Sequence, residues 1–296
     1  MTTTSSSVEP DRASETLQTL SEWLRCPNCF TDLHPVGGLV LACSSGHRFD
    51  VNRQGVASLG IGSRKLIGDS AVMLDARDAF LHAGWYAELR EALSALVAAE
   101  HADRFIDIGC GTGYYLHGAL TAAQAALPAS AAPVRALAVD LSPQAVKRTV
   151  RATPHTSGLV ADVWSPFPVR DAVADVALNV FAPRNPAEFH RTLRPGGLLA
   201  VVVPRPEHLR ELRAAGLALD VHANKSADLV ASLSGRFALE SEQSMQRSLD
   251  LSPADVAALI GMGPSAHHTD STASALPAAG SAVTAAFSLF GFRRLP

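Results

Sequence analysis

Asp107-Ile-Gly-Cys-Gly-Thr-Gly113 constrains this chain more than any other run of residues. The apolar pair Phe105-Ile106 leads into it, and Tyr114 onward has the pattern of a helix. A strand that closes on an acidic residue and turns through glycines into a helix is the opening unit of a Rossmann-like α/β sheet. Glycines let the backbone approach a ligand where a Cβ would clash, and the helix N-terminus beyond them offers unpaired N–H groups. The spacing Gly-x-Gly-x-Gly is not the dinucleotide form Gly-x-Gly-x-x-Gly, which serves a pyrophosphate.

The rest of the chain extends that unit. From residue 103, short apolar runs alternate with helical stretches, which predicts a mostly parallel sheet. Strands are expected at Arg104–Ile108, Arg135–Asp140, Gly158–Ala161, Val173–Asn179 and Gly197–Val203, with a last antiparallel strand at Val283–Phe292. Ala122–Pro133 reads as a helix followed by a loose loop, and Leu193-Arg-Pro-Gly-Gly197 as a structural turn. Ser252-Pro-Ala-Asp255 has a helix-start signature, with Ser252 as cap and Pro253 in the first turn. Gly263–Gly280, which carries His267 and His268, has no periodicity and reads as a loop. Residues 1–20 are polar and read as a disordered tail. Residues 21–62 form a cysteine-bearing unit, 63–100 a hinge and two linking helices, and 101–296 the sheet domain. The hinge is Gly60–Gly68, with Arg64 and Lys65. Gly84 divides the helices. Ala71, Leu74, Ala79 and Leu81 share a face of the first, and Leu89, Leu93, Leu96 and Val97 follow at helical spacing in the second.

Cys26-Pro-Asn-Cys29 and Cys43-Ser-Ser-Gly-His47 are two close pairs of soft ligands. Together they can form a tetrahedral Cys₃His shell for Zn²⁺, structural in kind because the protein fills every position. Thr31–Ala42 fits one hairpin with Gly37-Gly38 as its turn. The alternative is three unrelated thiols and a surface histidine. Cysteines at metal spacing rather than in a disulfide framework suit a reducing, cytoplasmic compartment. The start of the chain lacks a signal-peptide pattern, and no apolar stretch approaches the ~18 residues a bilayer span requires, so no membrane partner is expected. A net charge of −3 does not advertise nucleic-acid binding, so contact with phosphate would need a local basic patch.

The glycine spacing is the form seen in S-adenosylmethionine (SAM) methyltransferases, with Asp107, Gly109, Gly111 and Gly113 framing the loop; other nucleotides or plain packing stay open. Asp140 ends the second strand, where a carboxylate can accept from both ribose hydroxyls or merely cap the next helix. Asp162 follows the third strand and could reach an adenine amino group or be a solvated loop carboxylate. Cys110 reads as packing. After the fourth strand, Asn179 could bond a base edge and Phe181 could stack on a base plane, although packing also explains Phe181.

Taken together, the sequence resembles the RlmA-type 23S rRNA (guanine-N1)-methyltransferase family. The resemblance rests on Cys26-Pro-x-Cys29, Cys43-x-x-x-His47-x-Phe-Asp50, Gly68-Asp-Ser-Ala71, Ala76-Arg-x-Ala-Phe-Leu81 and Ala83-Gly-x-Tyr86. It continues through Asp107-Ile-Gly-Cys-Gly111, Gly113-Tyr-Tyr115, Ala182-Pro183 and Pro204-x-Pro-x-His-Leu209. Gly68–Tyr86 is the most specific part, because it lies outside the Rossmann core. The resemblance implies an N-terminal zinc ribbon that engages a 23S rRNA hairpin, followed by a Rossmann-like SAM domain. It also implies that Tyr86, Gly111, Thr112 and His208 line the cofactor site; from spacing alone, Tyr86 reads as a helix-end core residue and His208 as a surface or capping histidine. Ala122–Pro133 and the stretch from Gly263 match less closely. The alanine-rich composition leans toward the family branch associated with resistance to macrolides such as tylosin.

The activity so implied is methyl transfer to N1 of an unpaired guanine. Arg48, Arg53, Arg64, Lys65 and Arg77 are candidates for phosphate contacts or are ordinary surface charge. No general base is assigned: Asn179 cannot act as one, and Asp162 is reserved for adenine. Two rival readings stand, a small-molecule SAM methyltransferase with a structural zinc ribbon and a zinc-ribbon RNA-binding protein without catalysis. A homodimer is left open.

Overall fold

Apolar and small residues alternate so regularly between Phe105 and Val203 that each strand buries both its faces, as parallel strands covered by helices do. The computed structural model describes residues 12–59, 68–220, 222, 224–263 and 280–296. In chain order, α1 (Arg12–Trp23) precedes β1 (Leu33–Pro35), β2 (Val40–Cys43), β3 (Arg48–Asp50), β4 (Val56–Ser58), α2 (Ala71–His82) and α3 (Ala87–Ala98). The alternating part runs β5 (Arg104–Ile108), α4 (Tyr114–Ala126), β6 (Arg135–Asp140), α5 (Pro143–Ala152), β7 (Thr156–Val160), β8 (Ala174–Val180), α6 (Pro186–Thr192) and β9 (Leu193–Pro204). It closes with α7 (Arg210–Ala214), α8 (Lys225–Leu233), β10 (Phe237–Leu251), α9 (Pro253–Gly261) and β11 (Ser281–Arg294).

Eight strands form the main sheet in the order β10-β11-β9-β8-β5-β6-β7-β4. The pairs from β4 to β9 are parallel, and β11 runs antiparallel between β9 and β10. From β5 the chain winds out through β6 and β7, then returns to start β8 on the other side. That reversal between β5 and β8 opens a crevice at the carboxyl ends of the strands, the usual ligand position in such sheets. Strand alternation divides the core in two. Phe105, Ala136, Ala138, Val176, Leu178, Leu198 and Ala200 face the layer of α3, α4 and α9. Ile106, Leu137, Val139, Ala177, Leu199 and Val201 face the layer that holds α1, the cysteine unit and α6.

A disordered tail is expected over residues 1–20, but from Arg12 the chain is helical, and Leu17, Leu20 and Trp23 are buried; residues 1–11 lie outside the described residues. Their spacing of three makes a narrow apolar stripe in an otherwise polar stretch, and packing on the cysteine unit supplies what the composition lacks. The cysteine unit is the expected hairpin, with Leu33 opposite Cys43 and Gly37 and Gly38 at positive φ, and β3 adds a third strand. It shares its core with the main sheet and adds β4 to the sheet edge beside β7. The strands expected from the sequence are present within three residues at each end apart from β9, which takes in the Leu193–Gly197 bend. A bulge accommodates that bend, Ala174 pairing with Leu193 and Val176 with Leu198. The α9 cap forms a full capping box between Ser252 and Asp255. Trp85 Nε1 donates to Asp255 Oδ1 at 3.1 Å and ties the α2–α3 turn to it. The Gly60–Gly68 hinge, apart from Gly68, and the loop with His267 and His268 lie outside the described residues.

Candidate functional site

The glycine loop leaves β5 and is pinned at once to its neighbour: the N–H groups of Gly109 and Cys110 both donate to Val139 O, at 2.8 and 3.1 Å. Gly109 has φ +85°, and a Cβ there would overlap that of Ala182, so the glycine permits the loops after β5 and β8 to touch. Asp140 completes the turn. Its Oδ2 accepts the Gly111 N–H at 3.0 Å and its Oδ1 the Ser142 N–H at 2.9 Å. Ser142 is itself the N-cap of α5, so Asp140 orders the loop in front of the cap rather than serving as the cap. Each carboxylate oxygen keeps a further lone-pair direction for a ligand.

Asp107 is only 3% exposed, and burial, with the neighbouring Asp140 carboxylate, pushes its pKa up to about 8. A carboxyl with a raised folded-state pKa makes the fold lose stability as pH rises from the unfolded value near 3.8 to about 8, with no further change above. Asp107→Asn is therefore expected to flatten the decline in ligand-free melting temperature between pH 5 and 8.5. Parallel wild-type and variant curves over that range would overturn the assignment.

A clasp lies over the loop. Ser142 Oγ donates to Asp69 O at 2.8 Å, and a Cβ on Gly68 would sit 2.9 Å from the Ser142 backbone. Arg77 pairs with the Asp69 carboxylate and donates through Nη2 to Met262 O at 2.8 Å. Arg77 is thus committed to closing the loop and is not a free phosphate contact. Arg48 and Arg53 are exposed, and Arg64 and Lys65 lie outside the described residues.

Beyond the loop stands an aromatic wall. The Tyr86 ring meets Phe80 at 5.0 Å and Phe287 at 4.8 Å, and Phe287 in turn meets His208 at 4.8 Å and Phe181 at 5.4 Å. Tyr115 faces Phe181 at 6.3 Å. Buried among these groups and the loop, Tyr86 Oη, Thr112 Oγ1, Tyr115 Oη and Asn179 Oδ1 have no hydrogen-bond partner among the described residues. Orphaned buried polar atoms are rare in native proteins and mark a place where a ligand or water completes the bonding. His208 Nδ1 accepts the Ala286 N–H at 3.2 Å, which puts the ring proton on Nε2. Burial, with Arg213 and Lys225 nearby, drives its pKa down to about 3, so His208 is a neutral donor.

The structure divides the remaining candidates. Asn179 is fully buried, and its Nδ2 donates to Pro183 O at 2.9 Å and Ile108 O at 3.3 Å, tying the two crevice loops together. Direct contact with a base edge is left to its Oδ1 alone. Phe181 is 42% exposed and has φ +54°, a conformation costly for a bulky side chain and typical of functional sites. Asp162 Oδ1 accepts the Trp164 N–H at 3.0 Å and Oδ2 the Ser165 hydroxyl at 3.3 Å, so it shapes its own turn on the crevice rim. Sequence reasoning missed Tyr115 and Phe287, whose alternation and helix position signal only core.

The metal-binding set is compact. The ligand atoms of Cys26, Cys29, Cys43 and His47 all lie within 4.8 Å of one another. His47 Nδ1 is 3.6 Å from Cys26 Sγ and 3.3 Å from Cys43 Sγ, and the Cys29 and Cys43 sulfurs are 3.6 Å apart. Such edges match a tetrahedron with metal–sulfur bonds of about 2.3 Å and metal–nitrogen bonds of about 2.0 Å, so the cluster can bind zinc.

The crevice asks for a ligand rich in hydroxyl and amine groups but without a pyrophosphate, since its glycine loop lacks the dinucleotide spacing. SAM meets both demands, and the protein is a SAM-dependent methyltransferase with a zinc-ribbon unit packed against its sheet. No family model matches the chain. It is 40% identical over 252 residues to a 23S rRNA (guanine(748)-N(1))-methyltransferase of Streptomyces fradiae, a match covering 84% of this chain and 87% of that one. A putative 23S rRNA (guanine-N(1)-)-methyltransferase of Micromonospora griseorubida is 38% identical over 83% of this chain and 88% of its own. One of Bacillus subtilis is 32% identical over 64% and 67%. The chain belongs to the 23S rRNA (guanine-N1)-methyltransferase family. Among the described residues, no helix is long and apolar enough to cross a membrane.

Proposed function

We propose that the protein methylates N1 of a guanine presented by a hairpin of 23S rRNA, at the position that the Streptomyces fradiae relative's name gives as 748. The observation that carries this reading is the 40% identity with that relative over 252 residues, 84% of this chain. Asp140 grips the cofactor sugar, and the hydroxyls of Tyr86, Thr112 and Tyr115, with His208 Nε2–H, take its remaining polar groups. Asp107, Gly109, Gly111 and Gly113 shape the loop that lets it approach, and Asp162 orders the rim near its base. When bound, SAM supplies an electrophilic methyl group on a sulfonium.

The protein's own part is alignment. Phe181 offers the flipped-out guanine a stacking surface, and Asn179 holds the two loops between which the base enters. His208 accepts the Ala286 N–H at Nδ1 and already carries its proton on Nε2, so it is not the base for the N1 proton. Primer extension tests the reading, because a methyl group on N1 blocks Watson–Crick pairing and stops reverse transcription. Unmodified 23S rRNA incubated with SAM and wild-type protein should give a stop at the guanine, absent with Asp107→Ala. Equal signal from both proteins, or none from either, would sink it.

A further inference from the structure

Three cations lie beyond the carboxyl ends of β8 and β9 with no carboxylate paired to them among the described residues. Arg184 follows Phe181 by three residues, Arg213 lies in α7, and Lys225 opens α8. All are half-buried. Arg184 is near enough to disfavour the charge on Lys225, and Lys225 and Arg213 both act on His208. Among the described residues, no carboxylate pairs with any of the three, whereas Arg25, Arg104, Arg148, Arg191 and Arg293 each have one. Arg213 bonds Pro206 O through Nη2, yet its Nε–H is buried and meets no acceptor. Like charges drawn together and partly stripped of water cost free energy unless an anion joins them.

SAM does not meet that need, because its one carboxylate is offset by its own ammonium and sulfonium and cannot balance three cations. A phosphodiester does. Arg184 is within about 11 Å of Phe181 along the chain, and the ring path from Phe181 through Phe287 leads to His208, whose charge the other two cations disfavour. We propose that Arg184, Lys225 and Arg213 form a phosphate subsite that grips the RNA backbone beside the nucleotide stacked on Phe181. This rests on the RNA reading above and adds to it where the strand is held. It also answers how a chain of net charge −3 binds a polyanion, through a local set of unbalanced cations rather than overall charge.

The test uses Arg184→Gln, Lys225→Gln and the double variant in the full zinc-loaded chain; Arg213 stays because it holds Pro206. Binding of an unmodified 23S rRNA transcript is measured against salt. Each lost contact should lower the slope of log K against log salt by about 0.7 to 0.9, and the double variant by about 1.5. KM for the RNA should rise, while calorimetric affinity for S-adenosylhomocysteine stays unchanged and Lys225→Arg restores the slope. A double variant with the wild-type slope overturns the subsite, as does a parallel loss of S-adenosylhomocysteine affinity. If methyl transfer proceeds but the slope does not move, the subsite alone fails. If the variants lower the slope but wild type transfers no methyl group, the methylation reading fails and the subsite stands.

Discussion

Removing zinc, by chelator or by Cys29→Ala, is expected to unfold residues 26–50 and lower the melting temperature by on the order of 10 °C. The strands β1, β2 and β3 have three or four residues each, too few to hold a sheet in water. Their apolar filling is little more than Leu33 and Leu41, so four ligands on one ion must supply most of the cross-linking. Structural zinc contributes about 10 kcal/mol or more in small isolated units. Part of that is retained here, because the unit is also tied to the body. Leu24 bridges Val169, Arg25 pairs with Asp171 at 2.9 Å, and β4 belongs to the main sheet. Loss of metal should therefore strip protection from amides 26–50 in hydrogen exchange while β5, β6 and β8 keep theirs. Cys110→Ala, at the buried thiol outside the cluster, should keep one zinc per chain. A Cys29→Ala protein with full zinc content and an unshifted melting temperature would contradict the cross-link.

What could be read in the sequence followed from short-range rules. The strand–glycine–helix unit, the hairpin with two glycines and the Ser252 cap each depend on residues within a few positions of one another. Features that depend on distant pairing could not be read this way. Arg77 looks like any exposed cation until Asp69 and Met262 O take its guanidinium. The rim at His208 is held where Glu211 accepts the Thr284 N–H at 2.8 Å and its hydroxyl at 2.6 Å, partners far apart in the chain. β10 was missed because it is an edge strand. Its outward positions carry Glu240, Glu242 and Asp250, charges that guard an exposed edge, and exposed Arg247 interrupts the inward set of Met245, Leu249 and Leu251 and hides the alternation. Tyr86 and His208 came from family resemblance alone, since aromatic packing gives a tyrosine at a helix start no distinctive spacing.

Asp140→Asn is expected to weaken S-adenosylhomocysteine binding by about 100-fold or more, nearly as much as Asp140→Ala, although it preserves shape. Both carboxylate oxygens already accept backbone N–H groups, at 3.0 Å from Gly111 and 2.9 Å from Ser142. An amide replaces one acceptor with a donor that must face one of those N–H groups. The glycine loop then loses a tether whichever way the amide is turned, and under the proposed reading a sugar hydroxyl loses its acceptor as well. A hydrogen bond to a charged group is worth about 1.5 to 3 kcal/mol, so two such losses account for the expected factor. The fold itself should survive, because Gly109 and Cys110 remain bonded to Val139 O. Titration calorimetry on Asp140→Asn and Asp140→Ala, with zinc content and melting temperature as controls, separates the explanations. If Asp140→Asn bound the product as tightly as wild type, the sugar would have to be held elsewhere on the rim. Binding lost only in Asp140→Ala would make the side chain a spacer for the loop rather than an acceptor for the cofactor.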